Sequence, residues 1–212
     1  MEQGKFIVLE GIDGSGTSTQ GPLLVKYLFE KDKRNIVVLT REPNELNPEG
    51  EEVRRRLQKK LLPEEQDIHD PLYWTNLFIA NREGHAKFFS PLLKLGLQTI
   101  SDRYKLSTIA YQSAQGMDMD GLIKRHEGLP IPDLTLLLDI STQIAQKRMD
   151  NSRQEREYFE EIDFQEKVQQ NYLLAAQKLS ASERIVVIDG SKPIEDVAKE
   201  IQQEVNKLYG YQ

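Results

Sequence analysis

The stretch LEGIDGSGTSTQ, from Leu9 to Gln20, places three glycines within six residues, between an apolar run and a helical pattern. Backbone N–H groups of such a loop can surround a phosphate, and the N-terminus of the following helix adds partial positive charge. Ser18 stands where loops of this kind place a hydroxyl that binds Mg²⁺. The stretch predicts phosphate binding by Gly11, Gly14, Ser15, Gly16, Thr17, Ser18 and Thr19.

The position directly after Gly16 departs from the phosphate-loop pattern, which has lysine there. Thr17 occupies this position. Its hydroxyl can donate one hydrogen bond but cannot neutralise a phosphate charge. Two interpretations remain at this point. One is a nucleotide-binding loop that obtains its charge elsewhere, and the other is a tight strand-to-helix turn that needs only the glycines.

Charged residues follow two further apolar runs, in the stretches TREP and SDRY. In an open α/β sheet the carboxyl ends of the strands face the ligand crevice. Arg41 and Arg103 could there bind phosphate oxygens through two parallel hydrogen bonds. Asp102 could hold a water of Mg²⁺ or polarise an attacking oxygen. The alternatives are a surface arginine before a turn and an ordinary ion pair at a strand end.

The stretch FIANREGH, within a long helical pattern, contains Phe78 and Arg82 four positions apart. Residues at this spacing share one face of a helix. On such a face an aromatic ring could contact a nucleotide base while a guanidinium contacts the edge of that base. The alternative is a core phenylalanine beside a solvated arginine, and this stretch alone favours that alternative.

The composition limits the classes of protein to consider. There is no cysteine, which excludes disulfides and thiolate metal sites, and His69, His85 and His126 lack metal-ligand spacing. The net charge of −6 argues against non-specific nucleic-acid binding. No apolar run approaches the roughly 18 residues of a membrane helix. Without a signal-peptide pattern either, the sequence predicts one cytoplasmic domain over residues 1–212.

Strand and helix patterns alternate along the chain. Short apolar runs predict strands at Lys5 to Glu10, Asn35 to Thr40, Leu97 to Asp102, Asp133 to Ile140 and Arg184 to Gly190. Helical spacing begins at Ser18 and recurs at Glu49 to Lys60, Asp70 to Leu95, Gln165 to Leu179 and Ile194 to Tyr209. Nearly continuous apolar strands indicate a sheet that is covered on both faces. The prediction is an α/β fold with a five-stranded, mostly parallel sheet.

Seven stretches together resemble the thymidylate kinase family, a group of P-loop nucleoside monophosphate kinases. They are LEGIDGSG followed by STQ, TREP, FIANR, SDRY, STIAYQ, PDLTLLLDI and DGSKP, in the family's order over nearly the whole chain. The resemblance implies a three-layer P-loop kinase fold that converts dTMP to dTDP with ATP and Mg²⁺. It also implies a homodimer.

The resemblance assigns roles residue by residue. Asp102 would organise the reacting phosphates and Mg²⁺, with Ser18 as the second metal-binding residue. The dTMP site would comprise Asp13 on the 3′-hydroxyl, Arg41 and Arg103 on the phosphate, Phe78 stacked on thymine, Arg82 and Gln112 at the base, and Tyr111 beneath the sugar. The ATP site would comprise the glycine loop, Arg148 and Lys192.

The charged segment from Arg148 to Asp163 is more typical of a solvated, mobile segment than of core. In the family, residues 148–160 would form a lid that closes over ATP. Arg153 and Arg156 lie in this segment, and the hypothesis is that one of them reaches the β- and γ-phosphates as a catalytic residue. It would supply the charge that Thr17 lacks.

Three functions remain open from the sequence. The first is an active dTMP kinase, and the second is a kinase of another nucleotide or nucleoside on the same fold. The third is a non-catalytic nucleotide-binding or regulatory protein, for which Thr17 is the only clear support. Retention of Asp13, Arg41, Asp102 and Arg103 favours catalysis.

Overall fold

The computed structural model describes residues 3–58, 69–150 and 162–211. Five strands form one sheet in the order β2-β3-β1-β4-β5, and every neighbouring pair is parallel. The predicted five-stranded α/β sheet is confirmed, with strand bounds within two residues of those expected. The strands are β1 (Phe6–Glu10), β2 (Val37–Arg41), β3 (Gln98–Asp102), β4 (Leu134–Asp139) and β5 (Ile185–Asp189).

Helices connect the strands in the described part of the chain. They are α1 (Thr17–Lys31), α2 (Pro48–Leu57), α3 (Pro71–Lys94), α4 (Lys105–Ala114), α5 (Met119–Lys124), α6 (Thr142–Asp150), α7 (Ile162–Leu179) and α8 (Ile194–Tyr209). Asn47 and Asp70 cap α2 and α3 through their side chains, and each cap precedes a proline at the first helical position. No helix among the described residues has the length and apolar character to cross a membrane.

Both faces of the sheet are packed, and β4 shows how. Leu134, Leu136 and Leu138 pack in one cluster with residues of α1 and α8, such as Leu24. Leu137, between them, packs in the other cluster with residues of α3, α4 and α7. Burying one such leucine contributes about 1.5–3 kcal/mol. Packing on both faces explains why three consecutive positions of β4, Leu136 to Leu138, are apolar rather than every second one.

Helix α4 is a helix that the sequence patterns did not predict. Its N-cap residue, Tyr104, provides no side-chain cap. The free N–H groups of Tyr104 and Ser107 instead donate to the carboxylate of Glu10, at 2.8 and 3.3 Å. Since Glu10 is more than 90 positions away in the chain, the start of α4 has no local signal.

Helix α6 corrects the interpretation of the charged segment at its first residues. Arg148, Met149 and Asp150 form the last turn of this helix, and Met149 is buried. At the other end of the segment, α7 begins at Ile162. Residues 151–161 lie outside the described ranges. The prediction of a solvated, mobile segment is therefore wrong for Arg148 and Met149.

Candidate active site

One cavity of about 1030 Å³ lies at the carboxyl ends of the strands, between the glycine loop and the ends of β2 and β3. Among the described residues its wall contains six basic side chains and three acidic ones. An excess of positive charge at this edge of the sheet suits a polyanion. The basic residues are Arg41, Arg54, Arg82, Arg103, Arg148 and Lys192, and the acidic residues are Asp13, Glu42 and Asp102.

The glycine loop runs from the end of β1 into α1, as expected. Gly14 has a φ of 81°, and a Cβ atom there would stand 2.6 Å from the carbonyl oxygen of Ala145. Only glycine fits this backbone conformation and this close approach. No acidic residue occupies the first turn of α1, so the partial positive charge at its N-terminus faces the cavity uncompensated from within the helix. Ser15, Gly16, Thr17, Ser18 and Thr19 line the cavity together with Gly14.

The register of the sheet brings Arg41 and Asp102 side by side. Arg41 of β2 pairs with Asp102 of β3, which in turn pairs with Leu9 of β1 directly before the glycine loop. The side chain of Arg41 lines the cavity and makes no hydrogen bond or ion pair within residues 3–58, 69–150 and 162–211. The Oδ1 atom of Asp102 is buried and also has no hydrogen-bond partner in these ranges.

Arg103 is held in an unusual conformation at the end of β3. Its φ is 71°, in a region that residues other than glycine seldom adopt. Its backbone N–H donates to Leu9 at 2.8 Å, and its carbonyl accepts from the Ser101 hydroxyl at 2.7 Å. Hydrogen bonds on both sides of the residue maintain this strain. The side chain is thereby directed into the cavity, which it lines.

Asp13 joins Arg103 to Tyr111. Arg103 donates to Asp13 Oδ1 at 2.7 Å, and the Tyr111 hydroxyl donates to Asp13 Oδ2 at 2.9 Å. Burial, and next the charge of Asp13, raise the pKa of Tyr111 above its usual value. Tyr111 therefore remains a protonated donor at neutral pH. Three residues from three separate sequence stretches thus form one bonded group on the cavity wall.

Glu10 supports this group from beneath. It is fully buried, and its Oε2 accepts from the Ser107 hydroxyl at 2.6 Å and from Tyr172 at 3.3 Å. The Tyr172 hydroxyl in turn accepts from Arg103 at 3.2 Å. Burial raises the pKa of Glu10, and the hydrogen bond from Ser107 partly offsets the increase. The carboxylate therefore connects the start of α4 to the side chain of Arg103.

Phe78 and Arg82 share one face of α3, as their spacing predicted, and both line the cavity. The Phe78 ring stacks on Trp74, with 5.8 Å between the ring centroids. Arg82 is only 1% exposed, which rules out the alternative of a solvated arginine. It forms an ion pair with Glu42 at 2.7 Å. Glu42 also bonds His85, and this histidine, to which no role was assigned from the sequence, belongs to a buried polar cluster.

Arg148 connects two loops at the other end of the cavity. Its guanidinium donates to the carbonyl oxygens of Gly14 and Ser15, at 3.5 and 3.4 Å. It also donates to those of Gly190 and Ser191, at 2.9 and 3.5 Å. Arg148 therefore fastens the glycine loop to the loop that follows β5.

Lys192 lies in the loop after β5 and also lines the cavity. Its ammonium group forms an ion pair with Glu200 and lies 4.0 Å from the carboxylate of Asp189. The Lys192 side chain is 40% exposed, so these ion pairs are in contact with water. Such exposed pairs contribute little to stability. Lys192 can therefore exchange these partners for a phosphate at small cost.

Two predicted site residues in the described part of the chain, Gly11 and Gln112, do not line the cavity. Gly11 lies behind the loop, where a Cβ atom would stand 2.7 Å from the carbonyl oxygen of Leu138. Gln112 is fully buried, and its Oε1 accepts from Gln115 at 2.9 Å. The structure therefore does not bring Gln112 to the cavity. Arg153 and Arg156 lie outside the described residues.

Several cavity residues escaped the sequence analysis. Arg54 projects from α2 and donates to the carbonyl oxygen of Pro43 at 3.3 Å. A cationic residue on a helix that follows TREP was the available signal for it. For the others residue type alone indicated no role, although Gln20, Glu42, Ser107 and Thr108 lie within stretches singled out above. These others are Gln20, Glu42, Leu57, Ser107, Thr108, Met149, Ile194 and Val197.

The oxygen atoms of Ser18 and Asp102 fit a hard divalent cation. Mg²⁺ prefers oxygen ligands and keeps several waters, so one or two protein oxygens suffice beside phosphate. The buried Oδ1 of Asp102, without a partner in the described ranges, provides one such oxygen. The described residues contain no group of three or more His, Cys, Asp or Glu that could hold a metal by themselves. A cation here would therefore depend on phosphate oxygens and water.

The strand order, the glycine loop and the cationic cavity define the class as a P-loop kinase fold. A family model described as thymidylate kinase matches residues 9–201, and the chain belongs to this family of transferases. The probable thymidylate kinase of Thermococcus gammatolerans is 35% identical over 93% of this chain and 94% of its own length. The thymidylate kinase of Nitrosospira multiformis is 35% identical over 98% and 99%.

A solved structure shows the same likeness. The thymidylate kinase of Candida albicans superposes with a TM-score of 0.81 at 29% sequence identity. The match covers 99% of this chain and 94% of that one. The recognition made from the seven sequence stretches is therefore confirmed at the level of the family and its fold.

Proposed function

We propose that the protein transfers the γ-phosphoryl group of ATP to dTMP, forming dTDP and ADP. The observation that carries the proposal is a single cavity in which the glycine loop adjoins cationic strand ends and an aromatic wall. Membership of the thymidylate kinase family supports dTMP as the acceptor. The residues at the junction are Arg41, Asp102, Arg103, Phe78, Arg82 and Tyr111.

The acceptor end of the cavity, defined by Asp13, Arg82, Arg103 and Tyr111, is assigned to dTMP. Arg103 and the nearby Arg41 of β2 carry the positive charge for its phosphate. Phe78 offers a ring face to the base, while Asp13 and Tyr111 offer polar groups to the sugar. Because Gln112 is buried away from the cavity, the base contact implied for it is not included.

The donor end, defined by Gly14, Ser15, Thr17, Arg148 and Lys192, is assigned to ATP. Backbone N–H groups of the loop and the N-terminus of α1 would surround the phosphates. Lys192 stands at the opposite side of this end, in the loop after β5. Arg148 holds the two loops together through its four carbonyl contacts, which supports a role in shaping this end.

The chemistry requires positioning and charge stabilisation more than covalent participation by the protein. An oxygen of the dTMP phosphate attacks the γ-phosphorus, and the bond from that phosphorus to the bridging oxygen of ADP breaks. The phosphate is already a competent nucleophile, so no strong general base is needed. Arg41 and Arg103 stabilise the charge on the transferring group from the acceptor side.

Mg²⁺ is the proposed cofactor, and when bound it neutralises charge on the β- and γ-phosphate oxygens. Ser18 and Asp102 are the residues that would hold it. The charge absent at Thr17 is assigned to Arg153 or Arg156, on the strength of the sequence alone. Both arginines belong to a charged segment for which the sequence indicates no core role.

The test is a panel of nucleoside monophosphates incubated with the full chain, ATP and Mg²⁺, with ADP formation as the readout. We expect dTMP to be phosphorylated well above the other acceptors. An Asp102→Asn variant serves as the control for contaminating kinases and is expected to be inactive. Omission of Mg²⁺ is likewise expected to abolish ADP formation.

The same panel separates the two other functions. Preference for another acceptor would mean a kinase of a different nucleotide. Calorimetric binding of ATP and dTMP without turnover would mean a non-catalytic protein. Either result would contradict the proposal.

A homodimer is the proposed assembly. Helix α3 and its C-cap residue expose three large apolar side chains, Leu72, Phe88 and Leu95, at 46%, 44% and 59%. Apolar side chains on one exposed helix are compatible with contact to a second copy. Sedimentation equilibrium tests the proposal, because a mass of one chain at all concentrations would contradict it.

A further inference from the structure

The guanidinium of Arg82 has nearly all of its hydrogens engaged within the protein. Arginine carries five N–H donors. The Nε–H donates to Glu42 at 2.7 Å, and Nη2 donates to the carbonyl oxygen of Tyr104 at 2.9 Å and to the Thr108 hydroxyl at 3.1 Å. Nη1 contacts His126 at 2.7 Å. One Nη1 hydrogen remains, on a residue that lines the cavity.

The tautomer of His126 follows from its second contact. Its Nδ1 lies 2.7 Å from the carbonyl oxygen of Leu122, and a carbonyl can only accept. Nδ1 therefore carries the proton, and Nε2 accepts from Arg82. Burial, and next the charge of Arg82, lower the pKa of His126 to about 3. Lys105 and Arg125 also face this ring and act in the same direction, so the imidazole is neutral at physiological pH.

These contacts fix the orientation of the guanidinium plane. Hydrogen bonds to Glu42 and His126 restrain the guanidinium of Arg82. The Tyr104 ring lies with its centroid 5.3 Å from Cζ of Arg82. The guanidinium cannot turn without breaking several buried hydrogen bonds. The direction of its remaining N–H is therefore set by the protein before any ligand enters.

Arg82 and Thr108 offer donors at this part of the wall, while both oxygens of Glu42, which also lines the cavity, already accept from Arg82 and His85. Besides the last Nη1 hydrogen of Arg82, the Thr108 hydroxyl has its own hydrogen available, because its oxygen accepts from Arg82. Thr108 also lines the cavity. A base with a carbonyl at the facing position can accept from these groups. A base with an amino group there would place donor against donor and leave buried polar groups unpaired.

We propose that His126 is a positioning residue for base selection. It fixes Arg82 so that the wall favours a pyrimidine monophosphate with a carbonyl at the exocyclic position over one with an amino group. The inference rests on the proposed function and deepens it, since it names how the acceptor end distinguishes dTMP from dCMP. His126 does not line the cavity and acts only through Arg82.

The experiment compares His126→Leu with His126→Gln. Leucine removes the acceptor for Arg82, whereas the side-chain oxygen of glutamine can accept in place of Nε2. We expect His126→Leu to raise the KM for dTMP about tenfold and to lower the preference for dTMP over dCMP about tenfold, with kcat little changed. His126→Gln is expected to recover most of both effects.

A control keeps a structural effect separate from a positioning effect. His85→Leu also removes a buried imidazole, which lies 2.8 Å from the same Glu42 but does not contact Arg82. It is expected to lower the melting temperature without changing the preference between dTMP and dCMP. Equal loss of preference in His85→Leu, or an unchanged preference in a folded His126→Leu, would overturn the inference.

Binding measurements separate this inference from the proposed function. Calorimetry of dTMP and dCMP without ATP reports the preference even where turnover is absent. If the wild-type chain binds dTMP tightly and His126→Leu binds with the same preference, only the inference fails. If the wild-type chain binds neither nucleotide, the proposed function and the inference fail together. Nitrogen-15 NMR adds an independent readout, because a protonated Nε2 on His126 would also overturn the inference.

Discussion

At the acceptor end of the cavity two guanidinium groups are bonded to carboxylates, whereas at the donor end Arg148 is bonded to backbone carbonyls. Arg103 pairs with Asp13 and Arg82 pairs with Glu42, each at 2.7 Å. Arg148 holds loops together and neutralises no acidic partner among the described residues. The acceptor end thus has two of its cations oriented in advance, and the donor end has an organised backbone with less oriented charge.

This difference indicates how each end of the proposed site would select its nucleotide. Oriented charge at the acceptor end can recognise one nucleotide, because rigid groups reject ligands that leave them unpaired. The proposed donor end would surround phosphate through backbone N–H groups, which are less specific for the rest of the ligand. Thr17 is consistent with this division, since lysine would have been the oriented cation of the donor end.

The largest expected effect comes from breaking the acceptor end at Arg103. Arg103→Ala removes a cation beside the transferring phosphoryl group and is expected to lower kcat with dTMP about 10³-fold. Arg103→Lys keeps the positive charge but loses the paired hydrogen bonds, so its kcat is expected to lie between those of the wild type and Arg103→Ala. Steady-state kinetics measure both, and Arg34→Ala, at an exposed ion pair with Asp32, is the control. A loss below tenfold for Arg103→Ala would contradict oriented charge at this end.

The second effect concerns Glu10, which supports the acceptor end. Glu10→Gln is expected to lower the free energy of unfolding by about 2 kcal/mol, because one buried oxygen that accepts hydrogen bonds is replaced by an amide NH₂ group that can only donate. Chemical denaturation measures the change. Glu204→Gln is the control for a general loss of negative charge, because it removes a carboxylate of α8 that is paired with Arg184. An unchanged free energy of unfolding would show that Ser107 and Tyr172 do not need the carboxylate.

The pH dependence of Glu10 has a definite sign. Burial raises its pKa above the ordinary value of 4.5, so ionisation is less favourable in the folded chain than in the unfolded one. The stability that the group contributes is complete below that value and is lost as pH rises through the raised pKa. The difference in unfolding free energy between wild type and Glu10→Gln is therefore expected to narrow as pH rises.

The third effect concerns the source of positive charge at the donor end. With Arg153 and Arg156 present, Thr17→Lys is expected to change kcat/KM for ATP by less than about threefold, since the charge is already supplied. In an Arg153→Ala, Arg156→Ala background, Thr17→Lys is expected to recover about tenfold or more of the lost activity. Equal effects of Thr17→Lys in both backgrounds would show that the arginines do not replace the missing lysine.

The smallest effect is expected from Arg148→Ala. Four hydrogen bonds to neutral carbonyls are lost, most of them long, and the expected destabilisation is about 1 kcal/mol. Thermal unfolding measures it, with Arg125→Ala as a control that removes an exposed hydrogen bond to Asn76. The KM for ATP should rise while that for dTMP stays unchanged. A larger change for dTMP would mean that the two ends are not independent.

Local patterns were sufficient for the sheet and for much of the site. Strands and glycine loops depend on neighbouring residues, so the ends of β1, β2 and β3 could be predicted. The positions of Arg41 and Asp102 at the ends of β2 and β3 followed from this. Helix α4 could not be predicted, because its cap comes from Glu10 in another strand. His126 could not either, since it meets Arg82 across 44 positions and no helix period connects them.

Asp13 has a consequence for the thermodynamics of dTMP binding. Both of its oxygens already accept short hydrogen bonds in the free protein, one from Arg103 and one from Tyr111. If Arg103 leaves Asp13 for the phosphate of the proposed acceptor, a sugar hydroxyl can take its place on Asp13. One hydrogen bond is then exchanged for another, so this contact is expected to contribute little to the enthalpy of binding. Water released as the base covers Phe78 would add favourably to the free energy of association.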